Sequence, residues 1–387
     1  MIVDFATDPL LVFKSTGNKV HHGHVTDTRC RPDITAAFEG YWREDSTTLW
    51  PCIQFAGEDA SKGKSKAAHK EHAISYLHYL LLARPDLHVA QGVLISEKRI
   101  MFLLGIGGVG TRKLSLTWHN KDLYKLMYAF VYRLYRPAQF KDSSYLKIDP
   151  NLQQKFVTYT IRLENGIECA GFYPIYATNP FQTRTHILSN PQSDIKVEGK
   201  VLTVLKDQLC RSEARFEENE ILALVHHPEI VPGVVEAVCH ELVKIPESLG
   251  VSRIKHRMGL RQAGSPITSI PTLKGMLEVA FDVLEGTVIS IYNVLFAHMF
   301  VVLRYLRVNR QILHRDISKG NVLYIEEETT RLPDDVSVGP DEKEAKELPL
   351  CFIKYLLRER HVEIGPGWDI TNVRLNIALT LRKRRHF

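Results

Sequence analysis

Two polar segments of this chain have the residue types and spacing of a phosphoryl-transfer centre. In Ile312-Leu313-His314-Arg315-Asp316-Ile317-Ser318-Lys319-Gly320-Asn321-Val322-Leu323, an Asp and an Asn five places later are enclosed by apolar pairs. An Asp in such a loop reaches an acceptor hydroxyl as general base, while an Asn one loop-turn later turns back to a metal ion on the phosphates. The second segment is Val201-Leu202-Thr203-Val204-Leu205-Lys206, an alternating apolar run ending on lysine, followed by Glu218-Asn219-Glu220-Ile221-Leu222. A lysine that anchors phosphates needs a partner for its ammonium, and a glutamate on the next helix supplies one. Glu218 has the spacing for that role, with Glu217 the alternative if the register slips by one. Read alone, Lys206 is a surface lysine and Glu217, Glu218 and Glu220 a solvated face; Asp316 and Asn321 in the same chain and order favour the chemical reading.

These residues require elements that hold them. Strand-like Phe156–Leu163 and Val201–Lys206 and a helix from Ser212 to Val225 would carry the lysine and its glutamate, and two apolar helices, 273–284 and 288–307, would follow. The stretch Glu326 to Pro349 holds nine acidic and three basic residues with Pro and Gly, and reads as an exposed insert before a basic tail at 358–387. Upstream, Ala67 to Arg84 is periodic as an amphipathic helix and stops before Pro85. Strand segments Arg99–Leu104 and Lys113–Trp118 flank a glycine cluster, and Lys121–Tyr135 reads as helix ahead of Arg136-Pro137. The division expected is an α+β unit over 1–150, helix-rich in its first part, and a second unit over 151–387.

The HRD segment is the layout of a protein-kinase catalytic loop. Together with CFIKYLL (351–357) and VYRLYRP (131–137), it resembles the fungal-type protein kinases, a divergent branch of the kinase superfamily, over most of residues 30–357. The resemblance implies an α+β, two-lobed protein-kinase-like domain preceded by a separate N-terminal extension. It implies ATP and Mg²⁺ as cofactors and a protein substrate phosphorylated on Ser or Thr. By the same resemblance Lys206 holds the α and β phosphates and Glu218 orients it. Asp316 is the catalytic base, Arg315 its HRD neighbour, and Asn321 a magnesium ligand. Ser318 takes the cofactor-facing position where general serine/threonine kinases carry a lysine, with Lys319 one place later.

The chain also departs from that pattern. Phe181 to Val197, one hairpin before Lys206, has no glycine with which to close a backbone over phosphates. Beyond CFIKYLL the only aspartate is Asp369, in GWDIT, and no DFG or APE follows. The lower lobe is therefore expected to be truncated, by a premature stop or a retained intron. A pseudokinase or interaction module that keeps the fold without transfer is the alternative. A small-molecule phosphotransferase is a third reading, which Arg315 opposes.

Other motifs compete less well. Gly105-Ile106-Gly107-Gly108-Val109-Gly110 satisfies GxGxxG, yet KLSLTW after it alternates as a strand, so a hairpin turn is expected rather than a dinucleotide site. Gly63-Lys64-Ser65 imitates a phosphate-binding loop, but Gly57 is one residue out of register and Glu58 would repel phosphate. His21, His22 and His24 read as an exposed loop, and the closing RKRR as a nuclear signal or a solvated end.

Composition bounds these readings. The chain has 387 residues, 44% hydrophobic and 24% charged, in the globular range. A net charge of +6 is too mild to point to nucleic acid. Six scattered cysteines without a CxxC pair argue against a zinc ribbon or disulfide scaffold and for a reducing, intracellular compartment, cytoplasmic or nuclear. The amino terminus lacks a signal-peptide pattern, and the longest apolar run, Val288–Leu303, is shorter than the roughly 20 residues a bilayer requires.

Overall fold

The computed structural model describes residues 9–261, apart from 18, 27, 62–65, 138–139, 154–155, 212–216 and 229–233, together with 265–266 and 323–324. The fold is mixed α+β, with sheets dominating over few helices. The chain divides into two compact units, residues 1–264 and 265–387. In the second, β16 (Ser265–Pro266) pairs antiparallel with β17 (Leu323–Tyr324).

The first sheet of the larger unit runs in chain order. It contains β1 (Leu11–Ser15), β2 (Ile34–Phe38), β3 (Phe55–Asp59), β4 (Val89–Ile95), β5 (Arg99–Ile106) and β6 (Gly110–Thr117). All neighbours are antiparallel except β3 and β4. A parallel pair cannot be joined by a tight turn, and the crossover is α1 (Lys66–Ala83). Leu77, Leu80 and Leu81 of α1 pack on Ala56, Ala90, Leu94 and Leu103. The other face of the sheet, with Phe55, Val93 and Phe102, receives α2 (Leu123–Tyr135) through Leu123, Leu134 and Phe130. Strand β4 is thus covered on both sides, which accounts for its largely apolar sequence VAQGVLI, where the one polar side chain, Gln91, is buried and donates to the Phe130 carbonyl of α2. Close approach of α1 requires Gly92: a Cβ there would lie 2.6 Å from the Ala56 carbonyl oxygen and 2.9 Å from Leu77 Cδ2.

The hairpin expected at the glycine cluster is present: Ile106 pairs with Gly110, and Gly108 takes the left-handed φ of +74° that the turn needs. The expectation of a helix-rich first part is corrected by β1 to β3, five-residue strands of which β2 and β3 are too buried to alternate. Nor is α1 amphipathic throughout, because Leu80 to Ala83 are buried all round. The histidine segment is not an exposed loop either. His21 is buried between Thr35 and Thr48, and His24 Nε2 lies 3.0 Å from the Tyr79 carbonyl. Burial holds both imidazoles down at about 4. Gly63, Lys64 and Ser65 lie outside the described residues.

The second sheet is antiparallel throughout. In chain order its members are β7 (Tyr145–Asn151), β8 (Phe156–Arg162), β9 (Glu168–Ala177) and β10 (Thr185–Ser189). After the small hairpin of β11 (Lys196–Val197) and β12 (Lys200–Val201) come β13 (Val204–Arg211), α3 (Glu218–Val225), β14 (Ala237–Val243) and β15 (Arg253–Leu260). The spatial order is β14-β15-β13-β10-β9-β8-β7. Tyr159, Ile161, Phe172, Leu188 and Leu205 form its core together with Leu49 and Cys52 from the first half of the chain.

The last carbonyls of a helix lack intrahelical partners. In α1 they are met by the second sheet. The buried Arg184 guanidinium donates to the carbonyls of Leu81 at 2.8 Å, of Arg84 at 2.7 Å and of Leu87. His186 Nε2 lies 3.0 Å from the Leu82 carbonyl, and the Tyr159 hydroxyl donates to that of Ala83. A cation at this end also complements the helix dipole.

Candidate functional site

Strand β13 alternates. Leu205, Asp207 and Leu209 are buried on one face, while Lys206, Gln208 and Cys210 lie on the other. The expected strand over 201–206 is displaced: Val201 closes the β11–β12 hairpin around Glu198-Gly199, both at positive φ, and the lysine strand starts at Val204 and runs on to Arg211. Its continuation was hidden because Asp207, a residue uncommon inside strands, is buried there. Lys206 is paired in the ladder with Ile187 of β10 and Met258 of β15, near the middle of the sheet.

Helix α3 follows β13 and packs on β14. Its entry is a capping box, with Glu217 at the N-cap and Glu220 returning to the Glu217 amide. Leu222 and Val225 are buried. At the first helical position, the Glu218 carboxylate accepts from Lys206 Nζ through both oxygens, with Oε1 at 2.7 Å. The Lys206 side chain is 19% exposed and that of Glu218 46%. A half-solvated pair of this kind contributes on the order of 0–1 kcal/mol to stability. Its larger effect is positional: the ammonium is held in one place with its third N–H left to donate elsewhere. Of the two candidate partners, Glu218 faces Lys206; Glu217 faces His256 at 3.8 Å.

The opposite face of β13 carries a buried ionic network. Arg257 donates to Asp207 through Nε at 2.7 Å and through a terminal nitrogen at 2.8 Å, and also to Asp142, Ser144 and Glu241. Lys255 Nζ lies 2.6 Å from Asp142 and 2.7 Å from Asp207. The Tyr145 hydroxyl donates to Asp207. Burial opposes ionisation of Asp207, but Arg257 and Lys255 outweigh it and hold the carboxyl well below the usual range. Two cations and two fully buried carboxylates balance, so the network is satisfied internally and ties β15 and β13 to the segment before β7.

Beside the Lys206 pair lies a group that sequence reading missed. Glu217, His240 of β14 and His256 of β15 each offer a ligand atom within 4.8 Å of the others, the group of this kind among the described residues. Spacing could not reveal it, because His240 and His256 meet only through the antiparallel register of β14 and β15. Asp316, Arg315, Ser318 and Asn321 lie outside the described residues, as do Asp369, the acidic insert and the apolar run 288–303. No helix among the described residues is long and apolar enough to cross a membrane. Comparison with protein families, curated proteins and solved structures found no match to this chain.

Proposed function

We propose that this chain is a divergent protein kinase, a transferase moving the γ-phosphate of ATP to Ser or Thr of a protein substrate. The observation that carries this reading is the Lys206–Glu218 pair, joining a mid-sheet strand to the helix that follows it. That is the strand-lysine and helix-glutamate pairing on which protein kinases depend. The HRD…N segment of the same chain supports it in sequence. A two-lobed arrangement, with the second sheet and α3 in the upper lobe, belongs to the same proposal.

Lys206 fits a phosphate group, being tethered, largely shielded and still able to donate. ATP with Mg²⁺ would supply the transferable phosphoryl group. Lys206 would hold its α and β phosphates, and Asn321 and Ser318 would face the nucleotide and its metal. Glu218 would keep the ammonium from wandering, Arg315 would flank the catalytic base within its loop, and Asp316 would take the proton of the attacking hydroxyl. Catalysis of this type rests on positioning and charge neutralisation.

A second reading, a pseudokinase or interaction module, is favoured by the connection between β9 and β10. Thr178 to Arg184 has no glycine, and it is held against the first sheet and the end of α1 by the Gly108 amide, which donates to the Pro180 carbonyl at 2.8 Å, and by the buried Arg184. The experiment is a thermal-shift titration with ATP, with and without Mg²⁺, followed by a transfer assay. A Mg²⁺-dependent shift and transfer that Asp316→Asn abolishes support the kinase. A cooperative melt unmoved by ATP leaves the interaction module, and equal transfer by Asp316→Asn and wild type removes the base assignment.

A further inference from the structure

The histidine pair on β14 and β15 is arranged as metal ligands are. His240 Nε2 and His256 Nδ1 are 2.9 Å apart, with ring centroids at 5.2 Å and planes inclined by 28°. Glu217 Oε2 lies 3.8 Å from the same His256 nitrogen. Ligands held tetrahedrally at about 2.0–2.1 Å from zinc lie roughly 3.3 Å from one another. The two separations bracket that value, so small side-chain rotations suffice. Two imidazole nitrogens and one carboxylate oxygen form a zinc-class donor set, whereas magnesium and calcium prefer oxygen ligands throughout.

A second observation points the same way. A ligating histidine usually donates its other ring N–H to an acceptor that fixes the tautomer. The side-chain amide of Asn219 sits there, with Nδ2 3.2 Å from His240 Nδ1, while its Oδ1 is buried with no hydrogen-bond partner. A half-turn of the carboxamide sets Oδ1 against an Nδ1–H of His240 and leaves Nε2 free as a lone-pair donor. Asn219 lies two residues after Glu217, so the N-cap and first turn of α3 together supply a carboxylate ligand and the group that orients a histidine.

We propose that Glu217, His240 and His256 bind a divalent ion of the zinc class, with Asn219 as the positioning residue and the fourth position left to water. The ion clamps the N-terminus of α3 to β14 and β15. The Glu217 carboxylate has two oxygens, so it can share one with the helix cap and one with the metal. This site stands independently of the kinase reading, and its test involves no nucleotide.

The test uses the full chain, stripped by a chelator and titrated with Co²⁺ and then Zn²⁺, read by the cobalt visible bands and by metal content after dialysis. One equivalent with tetrahedral-type bands is expected, displaced by Zn²⁺. His240→Ala and His256→Ala should each abolish it, and Asn219→Ala should weaken it about 10–100-fold. Glu217→Gln, which keeps a cap acceptor, checks the carboxylate without removing a ring from the sheet. X-ray absorption of the zinc-loaded wild-type chain reads the ligands directly, whatever the variants do to folding. Imidazole and oxygen scattering is expected. Sulfur ligation, or affinity equal in wild type and His240→Ala/His256→Ala, overturns the proposal.

Discussion

Lys206 and Asp207 are consecutive in β13 and serve opposite faces of one sheet: the lysine reaches Glu218 of α3, and the aspartate is buried against Arg257, Lys255 and Tyr145. One strand therefore carries an accessible charge whose value is placement and a buried charge whose value is cohesion. Substitution should separate the two.

Lys206→Met and Glu218→Gln remove the half-exposed pair. Each is expected to lower the apo melting temperature by no more than about 2–4 °C, following from roughly 1 kcal/mol for such a pair. Each should also abolish any ATP-dependent shift. A collapse of the apo fold in either variant would show the pair to be structural instead, and calorimetry with and without ATP reads both effects.

Arg257→Leu leaves Asp207 and Asp142 buried with one cation between them. Removal of one partner from a buried network costs on the order of 3–5 kcal/mol, and urea denaturation should show it as a fall in midpoint. Arg257→Lys keeps the charge but loses the fork shared by Asp207 and Asp142, and should lie between the two.

Four imidazoles are held neutral by burial, His21 and His24 at about 4 and His88 and His186 at about 3. Unfolded histidine takes up its proton near 6.5. The unfolded state therefore binds more protons below that pH, so the stability from these neutral rings is present above about 6.5 and is lost as pH falls through the folded values. The denaturation midpoint should decline between pH 6.5 and 5, before the depressed carboxyls of Asp142 and Asp207 begin to matter. His186→Gln, which can still donate to the Leu82 carbonyl, should reduce the pH dependence by about one proton, or roughly 1.4 kcal/mol per pH unit.

Gly92→Ala drives a methyl against the Ala56 carbonyl and the Leu77 side chain. Overpacking of this kind costs typically about 1–3 kcal/mol. Gly110→Ala, where a Cβ meets nothing within 4 Å, keeps the space and strains only the backbone at φ +126°. Comparing their urea midpoints tells steric from conformational cost.

What could be read from the sequence was whatever local periodicity or local stop signals specify. Helix α2, the end of α1 at Ala83 before Pro85, the β5–β6 hairpin and the start of β8 at Phe156 all follow from neighbours within a few residues. Strands β2 to β4 escaped because strands covered on both faces do not alternate, and β1 because five residues carry too little pattern. The pairing of Lys206 with Glu218 was legible, since twelve residues separate a strand from the following helix. The Asp142–Lys255 contact spans 113 residues and the His240–His256 contact depends on strand register. Neither leaves a mark in spacing, because a buried lysine and an inward histidine look in sequence like surface residues.

Helix α1 is complete in the chain by Ala83, but three of its closing carbonyls are answered only by Tyr159, Arg184 and His186, 76 to 104 residues later. At about 5–20 residues per second of synthesis, the nascent helix waits roughly 5–20 s for Arg184 to emerge from the ribosome. During that interval its most apolar turns, Leu80 to Ala83, have an unsealed end. The time at which this chain is most exposed to holding chaperones and to misassociation is therefore set by translation between Ala83 and His186, and slowing codons in that interval should lower the yield of folded protein more than the same codons placed after residue 261.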